Sequence, residues 1–150
     1  MIKNRVVFLI SFFVLINTLL SGCSSNPLPK EWGKRFVYNG GSLFYTSAVT
    51  ESETRKLGDY LLKAGFFQKG KRGTVQLNKE AEIYQFRMVV RKGLEKDMEF
   101  FRTAGLFAAE LSRGVFEGKP LEIHLCDDKL KTIQVVTFEL TDSTAEQKAE

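Results

Sequence analysis

The sequence predicts an α+β domain built as a two-layer sandwich, with two helices over one face of a single sheet. Segments of period-two alternation and segments of helical spacing follow one another in the order βαββαββ between residues 41 and 140. Each helical segment carries one apolar face sized to cover one sheet face, which argues for two layers rather than three.

Ser42 to Ser47 is a short strand with Leu43 and Tyr45 on one face and Phe44 on the other. Thr50 and Glu53 form a capping box that opens a helix carrying Leu57, Tyr60, Leu61 and Ala64, and Gly65 stops it. After the turn Gly70-Lys71-Arg72-Gly73, Thr74 to Asn78 places Val75 and Leu77 at period two, and the polar Lys79 to Glu82 leads into the strand Ile83 to Arg91. In that strand Tyr84, Phe86, Met88 and Val90 share one face, while Gln85, Arg87 and Val89 share the other. Glu95 to Arg113 is the longest helical pattern, closed by Gly114. Leu121 to Cys126 and Thr132 to Phe138 are two further strands joined by a polar loop, residues 127–131. The order matches a ferredoxin-like pattern with one added C-terminal strand.

Upstream, Lys3 and Arg5 precede Val6 to Ile16, an apolar run interrupted only by Ser11, and Leu20-Ser21-Gly22-Cys23 follows. A permanent span needs about 20 apolar residues. Asn17 and Thr18 break this run short of that, so it reads as a cleaved signal. The Leu-small-small-Cys stretch resembles the lipobox of bacterial lipoproteins. That resemblance implies cleavage between Gly22 and Cys23, diacylglycerol attached to the Cys23 thiol as a thioether, and a further acyl chain such as palmitate on the new amine. With Ser24 following in place of aspartate, it also implies the periplasmic face of the outer membrane in a two-membrane bacterium. Each buried methylene contributes about 0.8 kcal/mol, so two or more chains hold a protein on a bilayer where one would not.

The chain thus divides into a signal peptide (1–22), a lipidated cysteine with its tether (23–40), an α+β domain (41–140) and a polar tail (141–150). Trp32, with Phe36, Val37 and Tyr38 nearby, is expected to pack on its own domain.

The 22 Lys and Arg residues against 18 Asp and Glu give a net charge of +4. Cleavage after Gly22 removes Lys3 and Arg5 and leaves a charge near +2, so the basicity belongs largely to the leader. This balance and the extracytoplasmic address exclude nucleic acid as the partner. The remaining 128 residues suit one domain, which at that size buries roughly two-thirds of its unfolded surface. With Cys23 consumed by lipid only Cys126 is left, so no internal disulfide forms.

No HExxH, GxSxG or phosphate-binding glycine loop is present, and His124 is the single histidine. The expectation is therefore a non-enzymatic domain without a cofactor. Glu122, His124 and Cys126 alternate onto one strand face, which places an imidazole and a thiolate side by side as ligand types for copper or zinc. Structural metal sites usually need four ligands, so His124 and Cys126 define an alternative reading as a metal or small-ligand sensor rather than the first one. The same face, with Arg87, Val89, His124 and Gln134, mixes a guanidinium with apolar and polar groups in the manner of a protein contact surface.

Gly41 to Ser47 followed by a capped helix, with Gln85 to Val90 and Glu122 to Asp127 later, resembles a domain of bacterial envelope and membrane proteins to which no activity attaches. The resulting expectation is a membrane-anchored, extracytoplasmic lipoprotein whose domain binds an envelope protein partner.

Overall fold

The structure is a computed structural model and describes residues 28–137. The signal segment with Gly22, the lipidation residue Cys23 and the tail 141–150 lie outside the described residues.

Among the described residues the elements run β1 (Lys34–Tyr38), β2 (Gly41–Tyr45), α1 (Glu51–Lys63), β3 (Thr74–Glu80), β4 (Ile83–Val89), α2 (Met98–Gly114), β5 (Leu121–Cys126) and β6 (Thr132–Thr137). Short 3-10 turns occupy Lys30–Trp32 and Leu94–Lys96. The six strands form one mixed sheet whose spatial order is the chain order. β1–β2, β3–β4 and β5–β6 pair antiparallel, while β2–β3 and β4–β5 pair parallel across the α1 and α2 crossovers. The domain is α+β.

Two expectations are corrected. In a split ferredoxin-like arrangement another strand lies between the two that a helix connects. Here β2 and β3 are direct neighbours, as are β4 and β5, so nothing interleaves and the order is ββαββαββ. The sheet also begins at Lys34, within the segment assigned to the tether. Asn39 and Gly40 both adopt positive φ, 48° and 89°, and turn β1 back onto β2. An Asn-Gly pair is the strongest short hairpin signal a sequence carries. It was available in the chain to place β1.

Local chemistry accounts for the helices. Thr50 accepts from the Glu53 amide while Glu53 accepts from the Thr50 amide, so the capping box forms in full at the head of α1. α2 starts later than its hydrophobic period, because Asp97 accepts from the amides of Glu99 and Phe100 and fixes the first turn there. β3 runs on through Lys79 and Glu80, and the turn to β4 is only Ala81-Glu82, both at positive φ.

Both helices lie on one face. Leu57 and Leu61 of α1 and Ala104, Ala108 and Leu111 of α2 join Leu43, Val75, Leu77, Phe86, Ile123 and Leu125 in one core. Aromatic contacts close its ends: Tyr84 stacks on Phe116 at 4.1 Å, and Phe66 meets Phe86 and Phe107. Trp32 packs on its own domain, edge-on to Phe44 at 5.0 Å. That contact lies on the opposite sheet face, where Phe44, Cys126 and Leu130 form a second, smaller cluster.

Candidate functional site on the helix-free face

Gln76, Arg87, His124 and Thr132 come from four neighbouring strands and share the face that no helix covers among the described residues, because each pairs directly with the next or lies on a strand beside it. Gln76 is buried, and its Nε2 donates to the carbonyl oxygens of Glu31 and Trp32 at 3.0 and 3.1 Å, tying the N-terminal turn to the sheet. Its Oε1 accepts from Arg87 Nη1 at 3.1 Å. Arg87 Nη2 in turn donates to the Leu130 carbonyl and to Thr132 Oγ1. Thr132 Oγ1 lies 3.1 Å from His124 Nδ1, and His124 Nε2 lies 3.1 Å from Glu122 Oε2. With the His124 ring proton on Nε2, Thr132 donates to Nδ1 and the Nε2–H donates to the carboxylate. A second row on the same face runs Thr46, Asn78, Gln85, Glu80.

These rows change the standing of the sequence-selected residues. Arg87 is half-buried and spends its guanidinium inside the domain, and its Nε is buried with no partner. Val89 packs against the Phe44, Cys126 and Leu130 cluster. The His124 side chain is 12% exposed. Gln134 is not on this face at all. A register shift between Leu125 and Cys126 sets Thr132 opposite Cys126 but Gln134 opposite Leu125, which points Gln134 and Val136 to the helix side. Strict alternation from Thr132 had placed Gln134 with Arg87. No residue pattern in β6 marks that irregularity.

The Glu122, His124, Thr132 alignment orders an acid, an imidazole and a hydroxyl, but Thr132 Oγ1 is also held by Arg87. Two surface cavities, of about 680 Å³ and 830 Å³, are lined by other residues. The Cys126 side chain is fully buried; burial pushes its thiol pKa up, and the Arg87 guanidinium and Thr132 hydroxyl only partly offset this. For a metal, the arrangement offers an imidazole already bonded at both nitrogens and a thiol beside a guanidinium cation. Among the described residues no group of three or more His, Cys, Asp or Glu side chains could hold a metal ion. What this face does is clamp: it ties the 3-10 turn at Lys30–Trp32 and the β5–β6 loop onto the sheet.

The first cavity was not foreseen. It runs between α2 and the edge strand β6, with Met98, Phe101, Leu106 and Val136 among its lining. Met98 is 80% exposed and Leu106 62%, and Ile133 on β6 is 47% exposed. The α2 period could have flagged Met98 and Leu106 as apolar residues, but only the packing leaves them outside the core.

Among the described residues no helix is long and apolar enough to cross a membrane. No curated protein and no solved structure matches the chain. A family model described as the AF_1994_N family N-terminal domain matches residues 36–137, which runs from within β1 to the end of β6 and takes in more than half of the chain. The chain belongs to the AF_1994_N family, whose N-terminal domain it carries over those residues.

Proposed function

We propose that the protein is a lipoprotein held at a membrane through Cys23, and that its domain is a non-enzymatic protein-interaction module outside the cytoplasm. The anchoring rests on the order of basic start, apolar run and Leu20-Ser21-Gly22-Cys23. The interaction reading rests on one observation, the groove between α2 and β6, where Met98 and Leu106 are exposed beside Glu99, Arg102 and Thr137. Single exposed apolar residues are ordinary on a surface, whereas a grouped set beside a strand that is the sheet edge among the described residues suits a contact site. The helix-free face, with its polar groups engaged internally, holds the scaffold that presents this edge.

Metabolic labelling with a palmitate analogue and membrane fractionation test the anchor. The full chain is expected to take up label and sediment with membranes, and Cys23→Ser to do neither. Retention of both properties by Cys23→Ser would sink the lipoprotein reading. Leu106→Asp tests the module: recovery of the partner should fall while stability changes by no more than about 0.5 kcal/mol, as for ordinary surface positions. Unchanged recovery would remove the groove from consideration.

A further inference from the structure

We infer that the partner of this domain is a protein with an acidic surface, seated on the end of the sheet where the α1–β3 and β4–α2 connections emerge side by side. The inference gives the partner of the interaction module its chemistry, and it rests on that reading.

Topology gathers the charge. β3 and β4 are central neighbours and Val75 pairs with Met88, so the connection entering β3 (64–73) and the one leaving β4 (90–97) lie next to each other. The first holds Lys69, Lys71 and Arg72, and the second holds Arg91, Lys92 and Lys96, all six exposed. Only Glu95 and Asp97 stand against them, which leaves a net charge of +4. Both carboxylates are turned onto the backbone: Glu95 accepts from the Gly93 amide, and Asp97 from the Glu99 and Phe100 amides. Among the described residues none of the six cations forms an ion pair, whereas Arg55, Lys56 and Lys79 pair with Glu51, Glu117 and Glu82. The β5–β6 connection at the same end is balanced, with two acids and two lysines. At the opposite end the connections 46–50, 81–82 and 115–120 hold Glu82, Glu117 and Lys119, a net charge of −1. The domain is therefore electrically polar along its strands, and the cationic end steers an anionic surface toward it.

Two observations favour a protein over an anionic bilayer or a phosphate-bearing polymer. Leu28 lines the cavity at the opposite end of the sheet, with Thr46, Ser47 and Val49. It stands five residues past Cys23, a reach of about 18 Å at full extension, whereas β3 alone spans about 23 Å. A chain held through Cys23 thus turns its basic end away from the bilayer that holds it. Apolar side chains also border the cations: Met98 opens α2 at 80% exposure, and Leu62 is 39% exposed in the last turn of α1. A polymer of phosphates gives such groups nothing to cover. Arg and Met beside aliphatic groups are the composition of a protein interface.

The test uses the full-length chain in its own membrane, carrying a photoreactive residue in place of Lys92, with position 106 in the groove and position 119 at the opposite end for comparison. The expected result is a protein adduct from 92 and not from 119, joined to a segment of the partner rich in Asp and Glu. Lys71→Glu with Lys96→Glu should lower its yield about tenfold, two attractive contacts becoming repulsive. Lys30→Glu with Lys34→Glu, the same change of charge at the other end, should leave the yield unchanged. All four lysines are exposed and their side chains make no hydrogen bond among the described residues, so both variants keep the fold. An adduct with lipid or with a polymer that is not protein would overturn the inference. So would an equal adduct from 119, a partner segment without acidic residues, or a yield indifferent to Lys71→Glu with Lys96→Glu. An adduct from 106 with none from 92 would overturn it while leaving the interaction reading standing, and no adduct from either position would sink both.

Discussion

Arg87 Nη2 lies 2.6 Å from the carbonyl oxygen of Leu130, so a cation in the middle of β4 closes the backbone of the β5–β6 connection. Leu130 sits in the left-handed region at φ 58°, a conformation that costs a non-glycine residue energy. Its buried side chain and its clamped carbonyl hold it there. Arg87→Ala is therefore expected to lower stability by about 3 kcal/mol, because the Leu130 carbonyl and Gln76 Oε1 lose a charged donor together. Urea denaturation measures it. A loss of only a few tenths would mean that water replaces the guanidinium and the face is open.

Glu53 and Tyr84 tie the head of α1 to β4, with the Tyr84 hydroxyl donating to Glu53 Oε1. Burial pushes the Glu53 carboxyl up, but hydrogen bonds from Thr50 and Tyr84 outweigh it and bring the group below its ordinary 4.5. Burial, and then the bond to Glu53, push Tyr84 from 10.0 up to about 12. The signs are opposite. The Glu53 contribution is present above pH 4.5 and is lost as pH falls through the lowered native value. The Tyr84 contribution is complete below pH 10.0 and is lost as pH rises through about 12. In urea midpoints followed against pH, Glu53→Gln should flatten the acid limb and Tyr84→Phe the alkaline limb. An alkaline limb unchanged in Tyr84→Phe would assign it to other groups.

Gly33 joins the Trp32 turn to β1 at φ 79°, and a Cβ there would meet the Tyr45 carbonyl oxygen at 2.0 Å. Backbone cannot yield to that contact as a side chain can. Gly33→Ala should cost about 2 kcal/mol or more and release Trp32 from Phe44. Trp32 is the only tryptophan, so its emission reports the release directly. Native emission at full stability would place the strain elsewhere.

Ala81 and Glu82 hold φ of 46° and 67° in the two-residue turn between β3 and β4. Such turns favour Asn-Gly, and L-residues pay for the left-handed conformation. Ala81→Asn together with Glu82→Gly should raise stability by about 1 kcal/mol, the exposed Lys79–Glu82 ion pair being worth less than the relief. Thermal unfolding checks the sign, and a lower midpoint would show that the ion pair matters more.

The chain order of strands and helices was legible from β2 onward because each signal is local. The Thr50–Glu53 box, the alternation of Leu121, Ile123 and Leu125, and the Tyr84 and Phe86 face depend on neighbours a few residues away, and all of them stand in the fold. Asn39-Gly40 was equally local, and it marks β1. Tertiary structure alone decided the rest. Strand order follows from which edges meet across α1 and α2, and no period in the sequence encodes that. Gln134 changed faces through one irregularity opposite Leu125 and Cys126, which shows only in the pairing. Arg87 reads as a surface cation until Gln76 and Leu130 close around it, and the helical period puts Met98 on the apolar arc of α2 until the packing leaves it exposed. Periodicity sets which side of its own element a residue occupies; what lies across from that side is set by contacts between segments far apart in the chain.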